Sequence, residues 1–232
     1  MNEVISLVNS IIVNKYIYNK IDSDNDLYDY FCCVKNNISN SYDIDDILDL
    51  INNSPLLDKY LDLLSNFKTE YIYKSDVHGL SHVIRCSIYV LIISTLENLT
   101  LEEFEIAIQS IFYHDIGRVN DLNDDQHGFN AVKKINFLNH CYDKNIVDLI
   151  SVVIACHCLD DNEFYKVADL YKIKDKESAF KILCIIKDAD ALDRVREYPY
   201  CDEKFLRFDF SKELLLYACL FYNSYDYNVS RE

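Results

Sequence analysis

The stretch Phe112-Tyr113-His114-Asp115-Ile116-Gly117-Arg118 closes the run that decides how this chain folds. The run starts at Thr100-Leu101-Glu102-Glu103, where Glu follows Thr by three residues, the spacing of a capping box. Phe104, Ala107, Ile108, Ile111 and Phe112 then recur at helical spacing and mark a buried face. The predicted helix delivers His114 and Asp115 at its C-terminal end. A carboxylate there meets the negative end of the helix dipole, and a bound cation would offset that cost. Gly117 is read as the stop, in the left-handed conformation that glycine adopts freely.

Working outward, five of the six histidines fall into one set with this pair. His78 and His82 stand four apart, so on a helix they share a face, with Arg85 one turn further along. Downstream, a polar loop over 120–126, capped by Asp124 or Asp125, leads into a helix to about Asn139 whose first turn holds His127. His140 is read as a C-terminal cap and left out. Asp143 caps the next helix, in which Ile146, Leu149, Ile150, Val153 and Ile154 face inward and His157 ends the run. The flanking Cys156 and Cys158 are read as packing, since no other cysteine pair has zinc-site spacing. From Ser178 to about Val195 a helix apolar nearly all round carries Asp188, Asp190 and Asp193. Buried carboxylates are costly unless paired or metal-bound. The order, histidines then His-Asp, two histidines and an Asp cluster, reads as metal ligands delivered from several helices.

Only 3 Gly and 2 Pro occur in 232 residues, and half of the chain is hydrophobic. That argues against hairpin-rich β architecture and for an all-α fold with short connections. Helices are expected over 1–22, 28–36 and 43–52, the last with Ile44, Ile47, Leu48 and Ile51 as its stripe. Another runs from Pro55 to Phe67, capped by Ser54. The expected division is an N-terminal helical extension (1–70) packed on a core (71–200), then a C-terminal helix and tail (201–232). Residues 159–177 read as a mixed, lid-like segment.

The charge balance, 39 acidic against 23 basic residues, gives −16. Such a surface repels phosphate backbones, so long nucleic acid is not an expected partner. A small anionic substrate remains compatible where metals and a few arginines reverse the field locally. Nine cysteines without regular spacing and no opening signal peptide point to reduced thiols and a cytoplasmic setting. The adjacent Cys32 and Cys33 read as buried filler. No apolar run reaches the roughly 18 residues a membrane span needs.

His-x-x-Arg, His-Asp-Ile-Gly-Arg and Asp-Ala-Asp-Ala-Leu-Asp in this order resemble the HD superfamily of metal-dependent phosphohydrolases, over residues 76 to 196. The resemblance implies an HD-domain-like helical bundle with additional N-terminal helices. It implies His82, His114, Asp115 and Asp190 as core metal ligands, the second Asp of Asp-x-Asp being chosen over Asp188. His127 and His157 match the extra histidines of members with two metals. The cofactor expected is one or two divalent transition ions, Fe or Mn first, with Co, Ni or Zn as alternatives. The substrate expected is a small phosphoester such as a nucleotide. Asp115, Arg118 and His78 are the candidate catalytic residues; Arg85, Arg118, Lys187 and Arg194 are candidates for phosphate contact. The Gly-Tyr-Pro element of the similar HD-GYP phosphodiesterases is absent, so cyclic dinucleotide hydrolysis is not carried over. Two other readings share the ligand order: a di-iron oxygenase of the same architecture and a nucleotide-sensing module. A homo-oligomer is compatible with all three.

Overall fold

The computed structural model describes residues 44–197, 202–219 and 221–222. The helices expected over 1–22 and 28–36, the Cys32-Cys33 pair and the end of the tail lie outside the described residues. The fold is all-α, with no strand among the described residues. In chain order the helices are α1 (Ile44–Asn52), α2 (Leu57–Ser65), α3 (Leu80–Leu96), α4 (Leu101–Tyr113), α5 (His127–Val132), α6 (Lys144–Cys156), α7 (Phe164–Leu170), α8 (Lys176–Leu192) and α9 (Asp209–Glu213). Short 3₁₀ turns lie between several of them, and the chain is helical again over 215–219. No helix among the described residues is long and apolar enough to cross a membrane.

Four helices, α3, α4, α6 and α8, make the centre. α8 packs on α3, α4 and α6; α3 and α6 both pack on α4. This follows from composition. Every residue of α3 from His82 to Ser94 is buried, so this helix must be covered all round. α8 is buried continuously from Ile182 to Ala189. Each fully buried Ile or Leu contributes about 1.5–3 kcal/mol, and these two helices supply ten such side chains to the core. α1 covers α3 and α2 covers α4. Tyr60 of α2 meets Ser87 of α3 through a buried hydroxyl pair at 2.8 Å. Phe67 stacks on Phe112 at 4.1 Å, fixing the end of α4 from which His114 and Asp115 emerge.

The capping box at Thr100 and Glu103 is present, and Asp143 accepts from the Asn145 and Ile146 amides. Other boundaries moved. Ser54 organises the turn before α2, accepting from the Leu56 amide, and the helix starts at Leu57. α8 starts at Lys176 because Asp175 caps it through the Ser178 amide. The helix expected from His127 to Asn139 breaks into α5 and a 3₁₀ turn, Ile135–His140. Residues 159–177 form a 3₁₀ turn and α7, which buries Phe164, Val167 and Ala168 against α6 and α8. That packing ties the segment into the core, against the lid-like reading.

Gly117 is not in the left-handed region; among the described residues the positive-φ ones are Asn98 and Lys172. These two sit just past α3 and α7 and close paired C-terminal hydrogen bonds there. Gly117 answers a different need, close approach. A Cβ built on it would stand 1.9 Å from the His127 carbonyl oxygen and 2.4 Å from the Ala131 nitrogen. The absent side chain lets α5 rest directly on the His-Asp turn. Gly117→Ala is expected to cost roughly 3 kcal/mol, the upper end of ordinary overpacking, read as a lower urea midpoint with an unchanged slope.

Candidate metal centre

Five helix ends converge on Asp115. His82 lies in the first turn of α3, His114 and Asp115 directly after α4, His127 at the start of α5, His157 directly after α6, and Asp190 in the last turn of α8. Asp115 is 3% exposed and stands between two groups of ligating atoms. Its Oδ2 faces His82 Nε2 at 3.7 Å and His114 Nε2 at 3.4 Å. Asp190 Oδ1 completes that group, 3.4 Å from His82 Nε2 and 4.0 Å from His114 Nε2. On the other side, Asp115 Oδ1 faces His127 Nε2 at 3.2 Å and His157 Nε2 at 3.7 Å.

The histidines are oriented by one repeated device. His114 and His157 follow their helices immediately, and each Nδ1 binds the carbonyl three residues back, Ile111 at 2.8 Å and Ile154 at 2.6 Å. His127 does the same to the Asp124 carbonyl. Helix C-termini leave such carbonyls without intrahelical donors, so the histidine satisfies an orphan and is fixed by it. A carbonyl only accepts, so Nδ1 carries the proton. His82 Nδ1 donates to Asp193 Oδ2 at 2.7 Å. Asp193 is a carboxylate there. Burial opposes its charge, but Arg85, His82 and Arg196 hold it far below the usual range.

In the neutral rings, every Nε2 is therefore a bare lone pair. His82 and His114 present theirs to each other at 3.3 Å, and His127 and His157 at 2.7 Å. Between them lies Asp115, whose Oδ2 is buried and accepts no hydrogen bond among the described residues. With the rings neutral, four lone pairs and two carboxylates face one another, and Arg118 is the donor that reaches Asp115; a bound cation would relieve the remaining repulsion. Burial drives His114 down to about 3, keeping it in the neutral form a ligand needs. Burial opposes charging His127, yet the Asp115 carboxylate and the Cys158 thiol raise it to about 10, a measure of the field at that point. Burial likewise opposes ionising Asp115 and Asp190, yet the imidazoles around them hold both well below the carboxylate range. These buried His and Asp groups can hold a metal ion.

A cleft of about 350 Å³ adjoins the cluster, lined by His78, Arg118, Asp121, Asp190, Arg194, Arg196 and Phe205 among others. Arg118 Nε donates to Asp115 Oδ1 at 2.8 Å. Arg194 is the more open cation, 3.9 Å from Asp190 and 5.9 Å from the Phe205 ring centre. His78 Nδ1 lies 2.9 Å from Asp121 Oδ1, and Ser75 Oγ donates to the same oxygen. Burial lowers the pKa of His78, against the pull of Asp121.

His82, His114, Asp115, His127, His157 and Asp190 are thus brought together, and His78, Arg118 and Arg194 line the adjoining cleft. Two expected phosphate contacts are corrected. Arg85 is buried and spends its guanidinium on Asp193, at 2.6 and 2.9 Å. Lys187 is buried on another face of α8, donating to the Leu159 carbonyl and to Asp161. Neither lines the cleft. Asp188 turns away from the cluster and accepts from the Arg207 and Phe208 amides. Sequence reasoning missed Asp193 as the orienting partner of His82, Asp121 behind His78, and Phe205. The signal for Asp193 was present: a third Asp in a buried helix, with Arg85 one turn past His82. Phe205 lies outside the motif-bearing segment and had none. No family model, no curated protein and no solved structure matches this chain.

Proposed function

We propose that this chain is a metal-dependent phosphohydrolase of the HD type, acting on a small phosphoester such as a nucleotide. One observation carries the reading: a buried, acceptor-rich cluster of four imidazoles and two carboxylates that shares Asp190 with a cleft bearing three arginines. His82, His114, Asp190 and Asp115 Oδ2 would hold one ion; His127, His157 and Asp115 Oδ1 would hold a second. Imidazole and carboxylate donors suit Fe or Mn, with Co, Ni or Zn as alternatives. Divalent ions there supply Lewis-acid charge and lower the pKa of water.

The chain's own residues do the rest. Arg194 and Arg118 place positive charge at the cleft wall, where a chain of net charge −16 otherwise repels phosphate. Phe205 offers a flat apolar face beside Arg194 for a base. His78 enters neutral; a bound phosphate would raise its pKa and let it protonate a leaving oxygen. The arginines favour this reading over an oxygenase acting on a non-phosphorylated polyol, which would need no such wall; an oxygenase acting on a phosphonate is separated from it by oxygen uptake.

The test is a panel of nucleotides, cyclic nucleotides and a generic phosphodiester, offered to protein purified anaerobically and reloaded with Mn or Fe(II). Metal-dependent turnover is expected. Its absence from metal-loaded, folded protein would overturn the hydrolase reading, and oxygen uptake would then be measured. Arg194→Ala is expected to raise KM about tenfold with kcat nearly unchanged, a loss of about 1.4 kcal/mol of uniform binding.

A further inference from the structure

Cys158 follows His157 directly, just past α6, and its sulfur is not packing. Sγ and ring nitrogens of His127 and His157 all lie within 4.8 Å of one another. Around a tetrahedral ion, donors at metal–nitrogen and metal–sulfur bond lengths stand about 3.4–3.6 Å apart. The sulfur therefore has little more than about 1 Å to close. Two features hold it there. Sγ donates to the Asp125 carbonyl at 3.5 Å, on the loop that leads into α5. Gly128 clears the space: a Cβ on it would stand 3.2 Å from Sγ and 2.6 Å from the Ile154 carbonyl oxygen. α5 and the end of α6 thus meet closely enough for the thiol to join the two imidazoles. Cys86, beside His82, differs. Its sulfur also lies within 4.8 Å of ligating atoms of His82 and Asp190, but at 3.4 and 3.8 Å from the two nitrogens of the His82 ring it lies alongside that imidazole.

We infer that Cys158 is a thiolate ligand of the second half of the centre, with His127, His157 and Asp115 Oδ1. The inference rests on the metal reading above but not on hydrolysis. It makes the two halves chemically unlike. His82, His114, Asp190 and Asp115 Oδ2 offer nitrogen and oxygen only. The other half adds a soft donor, which selects Zn, Co(II) or Fe(II) and disfavours Mn. On binding, the Cys158 S–H proton leaves to solvent and the sulfur lone pair enters the metal–sulfur bond.

The test is cobalt(II) loading of the full chain without oxygen, read by absorption. A strong thiolate-to-cobalt band in the near ultraviolet is expected. It should vanish in Cys158→Ser while weaker visible cobalt bands persist, and survive in Cys86→Ala. Zinc affinity of Cys158→Ser should fall by at least the roughly 10–100-fold that loss of an outer-shell partner causes. Cobalt bound without the sulfur band, a band that survives Cys158→Ser, or one that follows Cys86 overturns the inference and leaves the hydrolase reading standing. No cobalt binding at all overturns both. Should Cys158→Ser fail to fold, X-ray absorption on the zinc-loaded parent decides. A sulfur scatterer at about 2.3 Å supports the ligand, and nitrogen and oxygen alone overturn it.

Discussion

Asp115→Asn is expected to lower metal-dependent hydrolysis by at least about 10³-fold while costing the metal-free chain no more than about 2 kcal/mol. The carboxylate bridges the two groups of ligands, so its charge bears on both. A 10³-fold loss corresponds to about 4 kcal/mol of transition-state stabilisation, within what Lewis-acid charge supplies. The stability half of the expectation comes from the hydrogen-bond inventory. The amide oxygen can still accept from Arg118 at the place of Oδ1. The amide nitrogen then falls where Oδ2 stands, facing the lone pairs of His82 and His114. It brings N–H donors to these two ring nitrogens, which offsets part of the charge lost beside Arg118. The measurements are turnover on the phosphoester panel, metal content, and urea unfolding with chelator. A metal-free variant more than about 2 kcal/mol less stable than the parent would contradict neutral rings whose bare lone pairs face Asp115.

Asp193→Ala is expected to be the most destabilising single change near the site, by about 3–5 kcal/mol. Asp193 is fully buried and receives Arg85, Arg196 and His82. Its removal leaves the Arg85 guanidinium buried and without its carboxylate. For a chain of this size that loss lowers the melting temperature by roughly 10 °C. Metal affinity should also fall, about 10–100-fold, because His82 loses the carboxylate that fixes its ring. The pH dependence has a definite sign. The folded-state pKa is depressed, so the stabilisation is complete above the unfolded carboxylate value, about 3.9, and is lost as pH falls below it. Asp193→Ala should therefore flatten the acid limb of a stability–pH profile. A difference from the parent that stays constant from pH 7 to the acid transition would contradict this account.

Much of the architecture was legible in the residues, for local reasons. Scarce glycine and proline, the Thr100–Glu103 box and the 3.6-residue stripes are all short-range signals, and all-α follows from them. Asp115 announced itself by lying where a helix dipole disfavours it. What was not legible depends on partners distant in sequence. Asp188 and Asp190 are two residues apart on one buried helix, and only the amides of Arg207 and Phe208 decide which faces the cluster. Arg85 and Lys187 were rightly seen as cations near the ligands. A buried cation takes the nearest carboxylate, however, and those are Asp193 and Asp161. Gly117 was recognised as special for the wrong cause: the demand comes from α5 pressing on it, which no local pattern encodes.

The ligand set also sets a timetable for the chain. His82 and the Asp193 that orients it are 111 residues apart, and the helices between them carry the other ligands. No short segment can gather the set, so an ion finds its full coordination only after α3, α4, α6 and α8 have docked. An ion held there would act as a rivet through the bundle, favouring the native state over the open chain. At a hundredfold excess over its dissociation constant it adds about 2.7 kcal/mol to stability. Thermal melting in graded metal should therefore climb with the logarithm of concentration, and chelation should return the chain to its lowest midpoint. With such a centre, the stability of the fold would track the supply of the metal.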